Sequence, residues 1–193
     1  MTTARRPLDV PKLSIQPLSD HSVLDGFSCG EREIDRAIGK CCQLESNHLG
    51  RTYWAHDGDA AKAIGFYTLS IMPASADRLN PDITFGRTGG TIPFIYLNYL
   101  GVVSDIQNQG LGKILLGHAL NRCALVARTV GSFGVALHAL TERAGSLYYR
   151  YGFRPVDGAG RPPFMVLPIK TLFELTGLPS SERASAAAAS SSP

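Results

Sequence analysis

One stretch of the chain has residue types and spacing that can hold a ligand. Gln107-Asn108-Gln109-Gly110-Leu111-Gly112-Lys113 follows an apolar run from Phe94 to Val103 and precedes a helical pattern reaching about Arg128. Glycines let a backbone bend tightly and approach a ligand closely. A helix start adds unpaired N–H groups and the positive end of the helix dipole. Strand, glycine turn and helix together predict an anion site suited to a pyrophosphate. Two common versions do not fit: a P-loop would need Gly at 107 and Ser or Thr at 114, which are Gln and Ile, and a dinucleotide fingerprint would need Gly at 115, which is Leu. Taken alone, a Gly-x-Gly turn is equally a plain strand-to-helix connection.

Other reactive residue types are less organised. His21, His48, His56, His118 and His138 are scattered, with no HxxxH or HxH spacing, and Cys29, Cys41, Cys42 and Cys123 form no CxxC. No metal site is predicted. Adjacent Cys41 and Cys42 make no usual disulfide, so a reducing compartment fits. Cys123 reads as packing rather than a nucleophile. His138, at the end of a strand pattern, reads either as a second catalytic group or, better, as a partly buried structural histidine.

The elements that position the loop are legible from pattern. With 193 residues, 44% hydrophobic and 18% charged, the chain has the composition of one globular domain with a real core. Net charge is +3, which permits a polyanionic partner without requiring one. Residues 1–10 are expected to be loose, residues 11–177 to form the domain, and the Ser/Ala-rich stretch 178–193 to be a disordered tail. Lys12 to Leu18 reads as a strand, and a helix follows Cys29-Gly30 with Ile34, Ala37, Ile38, Cys41 and Cys42 on one face. Arg51–His56 and Ala63–Ile71 read as a hairpin around Asp57-Gly58-Asp59, and residues 73–93, rich in Pro, Gly and Asp, as a long loop. Phe94–Val103 is a central strand, Phe133–Ala139 another, Glu142–Tyr151 a helix and Phe164–Ile169 a last strand. The result is an α/β (α+β) fold with a mixed central sheet and helices on its faces. The longest apolar stretch, Ile92 to Val103, is broken by Pro93 and Asn98 and is too short for a membrane span. Arg5 and Arg6 lead into no signal core, so a cytoplasmic protein is expected.

The loop also matches a family pattern. Gln107-x-x-Gly110-x-Gly112 fits the (Q/R)xxGx(G/A) signature of the GNAT N-acetyltransferase superfamily, and it follows a strand ending Leu100-Gly101-Val102-Val103. Further on, Ala144-x-x-Leu147-Tyr148-x-x-Tyr151-Gly152-Phe153 resembles that family's AxxFYxxxGF segment, with Leu147 in place of Phe. From about Leu13 to Ile169 the chain is similar to the GNAT-type toxins of bacterial toxin–antitoxin pairs. Leu18-Ser19-Asp20-His21, Phe27-Ser28-Cys29-Gly30, Ile34-Asp35, Gly50-Arg51-Thr52-Tyr53, Gly65-Phe66-Tyr67-Thr68-Leu69-Ser70 and Leu137-His138-Ala139-Leu140 carry that likeness. Tyr99 and Val103 stand where those toxins carry an arginine and an aspartate.

The resemblance implies the GNAT fold, with its central sheet splayed at the cofactor strand, and acetyl-CoA as acyl donor. The pyrophosphate would lie on Gln107, Asn108, Gln109, Gly110, Leu111, Gly112 and Lys113, and the pantetheine arm along Leu100, Gly101, Val102 and Val103. A backbone N–H near Val102 would face the developing oxyanion. Tyr148, by motif position, would protonate the thiolate leaving group; Tyr149 and Tyr151 compete, although neighbours on a helix point about 100° apart. No side chain stands out as a base for the amine. Glu142 is nearest in sequence but starts a helix, where it suits the dipole. An α-amine, with a pKa near 7.7–8.0 against about 10.4 for lysine, needs least help. The implied acceptor is the α-amine of aminoacyl-tRNA, with Arg51, Arg143 and Arg150 as candidate phosphate contacts. A small-molecule amine or protein N-terminus is the alternative acceptor, and a non-catalytic CoA-binding module the alternative class. The family also implies a homodimer and a ribbon-helix-helix antitoxin.

Overall fold

Residues 7–58, 62–75, 89–156 and 162–178 are described in the computed structural model of the chain. The expected hairpin forms from Gly50–Asp57 (β2) and Gly65–Ser75 (β3), both rich in the aromatic and β-branched residues that suit a pleated, packed surface. The two strands pair antiparallel with Tyr53 opposite Tyr67 and Trp54 opposite Phe66. The Tyr53 and Tyr67 rings stack at 5.1 Å, and Thr52 and Thr68 share a buried 2.9 Å hydrogen bond. Leu13–Pro17 (β1) lies antiparallel on β2, Ile15 opposite Ala55. With Thr91–Val102 (β4), Gly134–His138 (β5), Arg154–Pro155 (β6) and Phe164–Pro168 (β7), the strands run in the order β1-β2-β3-β4-β5-β7-β6. Four α-helices occur among the described residues: Arg32–Ser46 (α1), Leu111–Val130 (α2), Glu142–Arg150 (α3) and Ile169–Thr176 (α4). The fold is the mixed α/β class that the pattern predicts.

The chain divides into two compact units, Met1–Ser70 with Leu97–Ala119 and Ile71–Tyr96 with Leu120–Pro193. β3, β4 and α2 contribute residues to both. In the first unit, the apolar spacing of α1 buries Ala37 and Cys41 and packs Ile34, Ile38 and Cys42 against a core of Leu24, Phe27, Trp54 and Phe66. Phe27 meets Phe66 edge-on at 4.9 Å. Gly101 of β4 lies so close to this core that a Cβ there would stand 3.1 Å from Ile34 and 3.2 Å from the Phe27 ring. In the second unit β5 and β7 pair antiparallel, Val135 opposite Leu167, and β6 adds to β7 with Arg154 opposite Val166. Its core gathers Ile92, Phe94, Ala136 and Val166, with Phe133 and Phe164 packed against them.

Several boundaries depart from the sequence reading. β3 runs on to Ser75 and β4 begins at Thr91, so both ends of the expected 73–93 loop are strand. Pro93 is tolerated because only its carbonyl is used, accepting from Phe133 N–H at 3.0 Å. The middle of that loop, 76–88, lies outside the described residues, as do residues 1–6 and 179–193. Within the supposedly loose first ten residues, Leu8 N–H is bonded to Gln109 Oε1 at 2.7 Å, and Val10–Lys12 form a 3-10 turn. The last strand stops at Pro168, and α4 follows it unanticipated. Its signals were present: Leu172 and Phe173 at helical spacing from Ile169, and Gly177 as a left-handed stop with φ +65°. No helix among the described residues is long and apolar enough to cross a membrane.

Two glycine substitutions should separate steric from conformational roles. A Cβ at Gly134 would overlap the carbonyl oxygen of Leu167 across the β5–β7 pair, whereas one at Gly39, inside α1, meets nothing within 4 Å. Gly134→Ala is expected to lower unfolding stability by about 1–3 kcal/mol. Gly39→Ala should raise it by about 0.5–1 kcal/mol, read by urea or thermal denaturation.

Candidate active site

The glycine loop belongs to the first unit and is braced from below. Gln107 Nε2 donates to Cys29 O at 2.8 Å and Val102 O at 3.0 Å, so this side chain ties the loop to the end of β4 and to the segment before α1. Of the expected cofactor contacts, Gln107 thus spends its amide within the protein. Val103 N–H likewise donates to Ile64 O at 3.0 Å. The segment before α1 is held from its other side by Asp35, which accepts from Cys29 N at 2.8 Å and Ser28 Oγ at 2.9 Å. Burial works to raise the Asp35 carboxyl, but hydrogen bonds from Cys29, Ser28 and Gly30 outweigh it and hold the group below its ordinary value. Desolvation pushes the Cys29 thiol up to about 11, so it stays a protonated packing group.

Beyond Gln107 the backbone turns sharply. Asn108 has φ +69° and Gly110 φ +93°, and Lys113 and Ile114 N–H groups both return to Gly110 O, at 2.9 and 3.2 Å. α2 therefore begins at Leu111. The N–H groups of Leu111 and Gly112 precede any intrahelical acceptor, which is the arrangement an anion uses. Space for a ligand exists here, since a Cβ at Gly110 would meet nothing within 4 Å. Leu111 is buried under the turn and Lys113 is exposed beside it. Gln109 accepts the Leu8 N–H, which fastens the N-terminal segment to this loop.

The tyrosine helix, α3, belongs to the second unit. Thr141 caps it by accepting from Ala144 N at 3.1 Å, and Gly152, at φ +88°, closes its far end. Tyr148 points inward, 7% exposed, against Phe153 at 5.8 Å between ring centroids. Its hydroxyl has no hydrogen-bond partner among the described residues. Desolvation pushes its pKa up to about 12. Tyr149 is on the outer side, 55% exposed, with the Arg154 guanidinium 4.1 Å above its ring. Tyr151 caps the helix end, its N–H on Tyr148 O.

The other sequence candidates fall in different surroundings. Arg51, in the first unit, is paired to Glu45 at 2.8 Å, and the second Glu45 oxygen accepts Thr52 N–H at 2.6 Å. Arg143 and Arg150 are both exposed on α3 in the second unit. Glu142 occupies the first turn of α3, as its dipole argument predicts. His138 is exposed rather than partly buried, because it is the last residue of β5. Its Nδ1 is 2.5 Å from Tyr96 Oη and its ring packs on Phe164. Sequence reasoning did not single out Tyr96, since nothing in one strand announces its neighbour's side chain. Cys123 is fully buried and its thiol pushed up to about 12 by desolvation, as packing requires. All four cysteines are free.

No family model matches the chain. Its sequence is 31% identical over 160 residues to the "Probable toxin TacT" of Sinorhizobium fredii (strain NBRC 101917 / NGR234), spanning 78% of this chain and 87% of that protein. It is 31% identical over 145 residues to the tRNA-acetylating toxin of Mycobacterium tuberculosis (strain ATCC 25618 / H37Rv), spanning 72% and 84%. Among solved structures, a tyrosine-to-phenylalanine mutant of KacT aligns with TM-score 0.74 at 26% identity, over 85% of this chain and 99% of that one. AtaT complexed with acetyl-methionyl-tRNAfMet aligns with TM-score 0.72 at 25% identity, over 84% and 98%. AtaTR bound with acetyl-CoA aligns with TM-score 0.69 at 26% identity, over 86% and 99%. Relatives matched at this identity over nearly their whole length, together with the GNAT signature at Gln107–Gly112, establish that the chain belongs to the GNAT-type toxins.

Proposed function

We propose that this protein moves an acetyl group from acetyl-CoA to the α-amine of an aminoacyl-tRNA and so blocks translation. The observation that carries the reading is the 31% identity to a tRNA-acetylating toxin over 72% of this chain and 84% of that protein, in a chain that keeps both the glycine loop and Tyr148. The acetyl thioester supplies an activated carbonyl when it is bound. The residues around it do the rest. Gln109 to Gly112 offer backbone N–H groups and the positive end of α2 to the pyrophosphate, and Lys113 adds a positive charge beside them. Leu100 to Val102 offer the strand edge for the pantetheine arm. Val103 has less to give, its N–H being used on Ile64.

Tyr148 is the proton donor in this reading. A phenol with its pKa raised to about 12 keeps its proton at every pH where the enzyme works, and a hydroxyl without a partner among the described residues is available to a leaving thiolate. The amine must arrive neutral. An aminoacyl α-amine does so near neutral pH without a protein base, and the one carboxylate of α3, Glu142, sits in the first turn, where it serves the helix dipole. Arg150, on the helix that carries Tyr148, is better placed as a phosphate contact than Arg51, whose guanidinium is committed to Glu45, and Arg143 is exposed on the same helix. A ribbon-helix-helix antitoxin, a homodimeric state and a cytoplasmic location complete the proposal, the last in keeping with four reduced cysteines.

Incubating the protein with labelled acetyl-CoA and bulk charged tRNA tests the assignment. Label should appear on aminoacyl-tRNA. In Tyr148→Phe, kcat should fall about 10²- to 10⁴-fold with the acetyl-CoA KM little changed. If acetyl-CoA binds but no label reaches tRNA, the acceptor is a different amine, or the protein is a binding module.

The pH dependence follows from the same groups. Activity should rise with pH as the acceptor α-amine deprotonates near 7.7–8.0 and then hold level, because burial pushes the Tyr148 phenol up to about 12. For stability the sign is fixed by a folded-state pKa above the ordinary 10.0. The fold favours the neutral phenol, so this contribution is complete below about pH 10 and is lost as pH rises through about 12. A phenolate absorbance titration of wild type minus Tyr148→Phe should show one tyrosine ionising near 12; a difference curve centred at 10 would contradict the buried assignment.

A further inference from the structure

The outer face of α3 carries features that acetyl transfer does not use. Gly145, Ser146, Tyr149 and Arg150 form one stripe at helical spacing, and with Pro155 and Met165 they line a cavity of about 520 Å³. Its wall is mostly apolar, and its volume falls within the roughly 300–1,000 Å³ of small-ligand pockets. At its edge the Arg154 guanidinium lies 4.1 Å over the Tyr149 ring. Arg154 NH1 donates to Tyr149 O at 3.0 Å and Phe153 O at 2.9 Å, which fixes the guanidinium at the helix end. Neither Arg150 nor Arg154 has a carboxylate partner among the described residues.

These features together specify a ligand. An exposed aromatic face suits a flat ring, an open apolar depression gives that ring a surface to lie on, and two arginines with no carboxylate partner among the described residues suit an anion beside it. A nucleotide meets all three demands. An acidic peptide would satisfy the arginines but bring no planar group. We propose that this cavity receives one unstacked nucleotide from the single-stranded acceptor end of charged tRNA, its base against Tyr149 and its phosphate on Arg150 and Arg154. The inference rests on the tRNA-acetylating reading and adds a base-stacking subsite on the helix that carries Tyr148. Successive positions there point about 100° apart, so the inward tyrosine can serve the chemistry while its neighbour grips the substrate.

Charged tRNA carrying 2-aminopurine at each unpaired acceptor-end position in turn tests this on the full-length protein. For one position, fluorescence should be quenched on binding wild type, quenched again by Tyr149→Phe, and unquenched by Tyr149→Ala. In steady state Tyr149→Ala should raise the KM for charged tRNA about 5- to 150-fold, the range of one base–aromatic stack, with kcat and the acetyl-CoA KM holding. Arg150→Gln should flatten the salt dependence of tRNA binding by about one phosphate contact. Absence of quenching at every position in wild type, equal quenching by Tyr149→Ala, or an unchanged tRNA KM in that variant overturns the proposal, whatever the variant does to protein partners. If wild type acetylates no tRNA, the functional reading fails separately, and the quenching result alone decides the subsite.

Discussion

The Gln107 side chain ties together three segments, the glycine loop, the end of β4 and the stretch before α1. One amide nitrogen carries two hydrogens, and each goes to a backbone carbonyl: Val102 O at the end of β4 and Cys29 O before α1. Leaving either acceptor unpaired in a partly buried place would cost about 1–3 kcal/mol. A shorter or apolar side chain could not reach both. Asp35 completes the arrangement from α1 by accepting the Cys29 N–H, so the 28–30 segment is pinned through both its donor and its acceptor. The loop is therefore shaped before any ligand arrives, and its open N–H groups at the start of α2 need little ordering on binding.

The second unit solves a different problem, that of keeping a phenol neutral in a short helix. Nine residues make too few turns to be stable alone. Thr141 secures one end of α3, and Gly152 with the Arg154 guanidinium secures the other, each satisfying backbone groups that the helix leaves unpaired. Packing against Phe153 then buries Tyr148, and burial alone accounts for its raised pKa. The same closing turn sets Arg154 over Tyr149. The buried Tyr148 and the exposed Tyr149 are thus two sides of one capped helix.

Charges divide along a similar line. Arg51 is neutralised by Glu45 and stabilises the α1–β2 junction in the first unit. Arg150 and Arg154 have no such partner among the described residues of the second. Equal numbers on a residue count hide this difference. A net charge of +3 says little about a polyanionic ligand, whereas two arginines beside an exposed aromatic and an apolar cavity say a good deal.

What the sequence determined by itself was local. The β2–β3 hairpin, β4, α2 and the Gly110–Gly112 turn were legible because alternation, helical spacing and glycine chemistry act within a few residues. The two ordered motifs around Gln107 and Tyr148 were enough to point to the family. Element ends were less legible. Pro93 and the polar residues near it hid strand ends that only pairing across the sheet reveals, and α4 was masked by the apolar strand running into it. Tertiary structure decided the rest. Whether Gln107 faces a ligand or braces the backbone, whether Tyr148 or Tyr149 is inward, whether His138 is buried, and which arginines keep a carboxylate all depend on residues far apart in the chain. Such choices are energies of desolvation and pairing, set by neighbours that only the folded chain brings into contact.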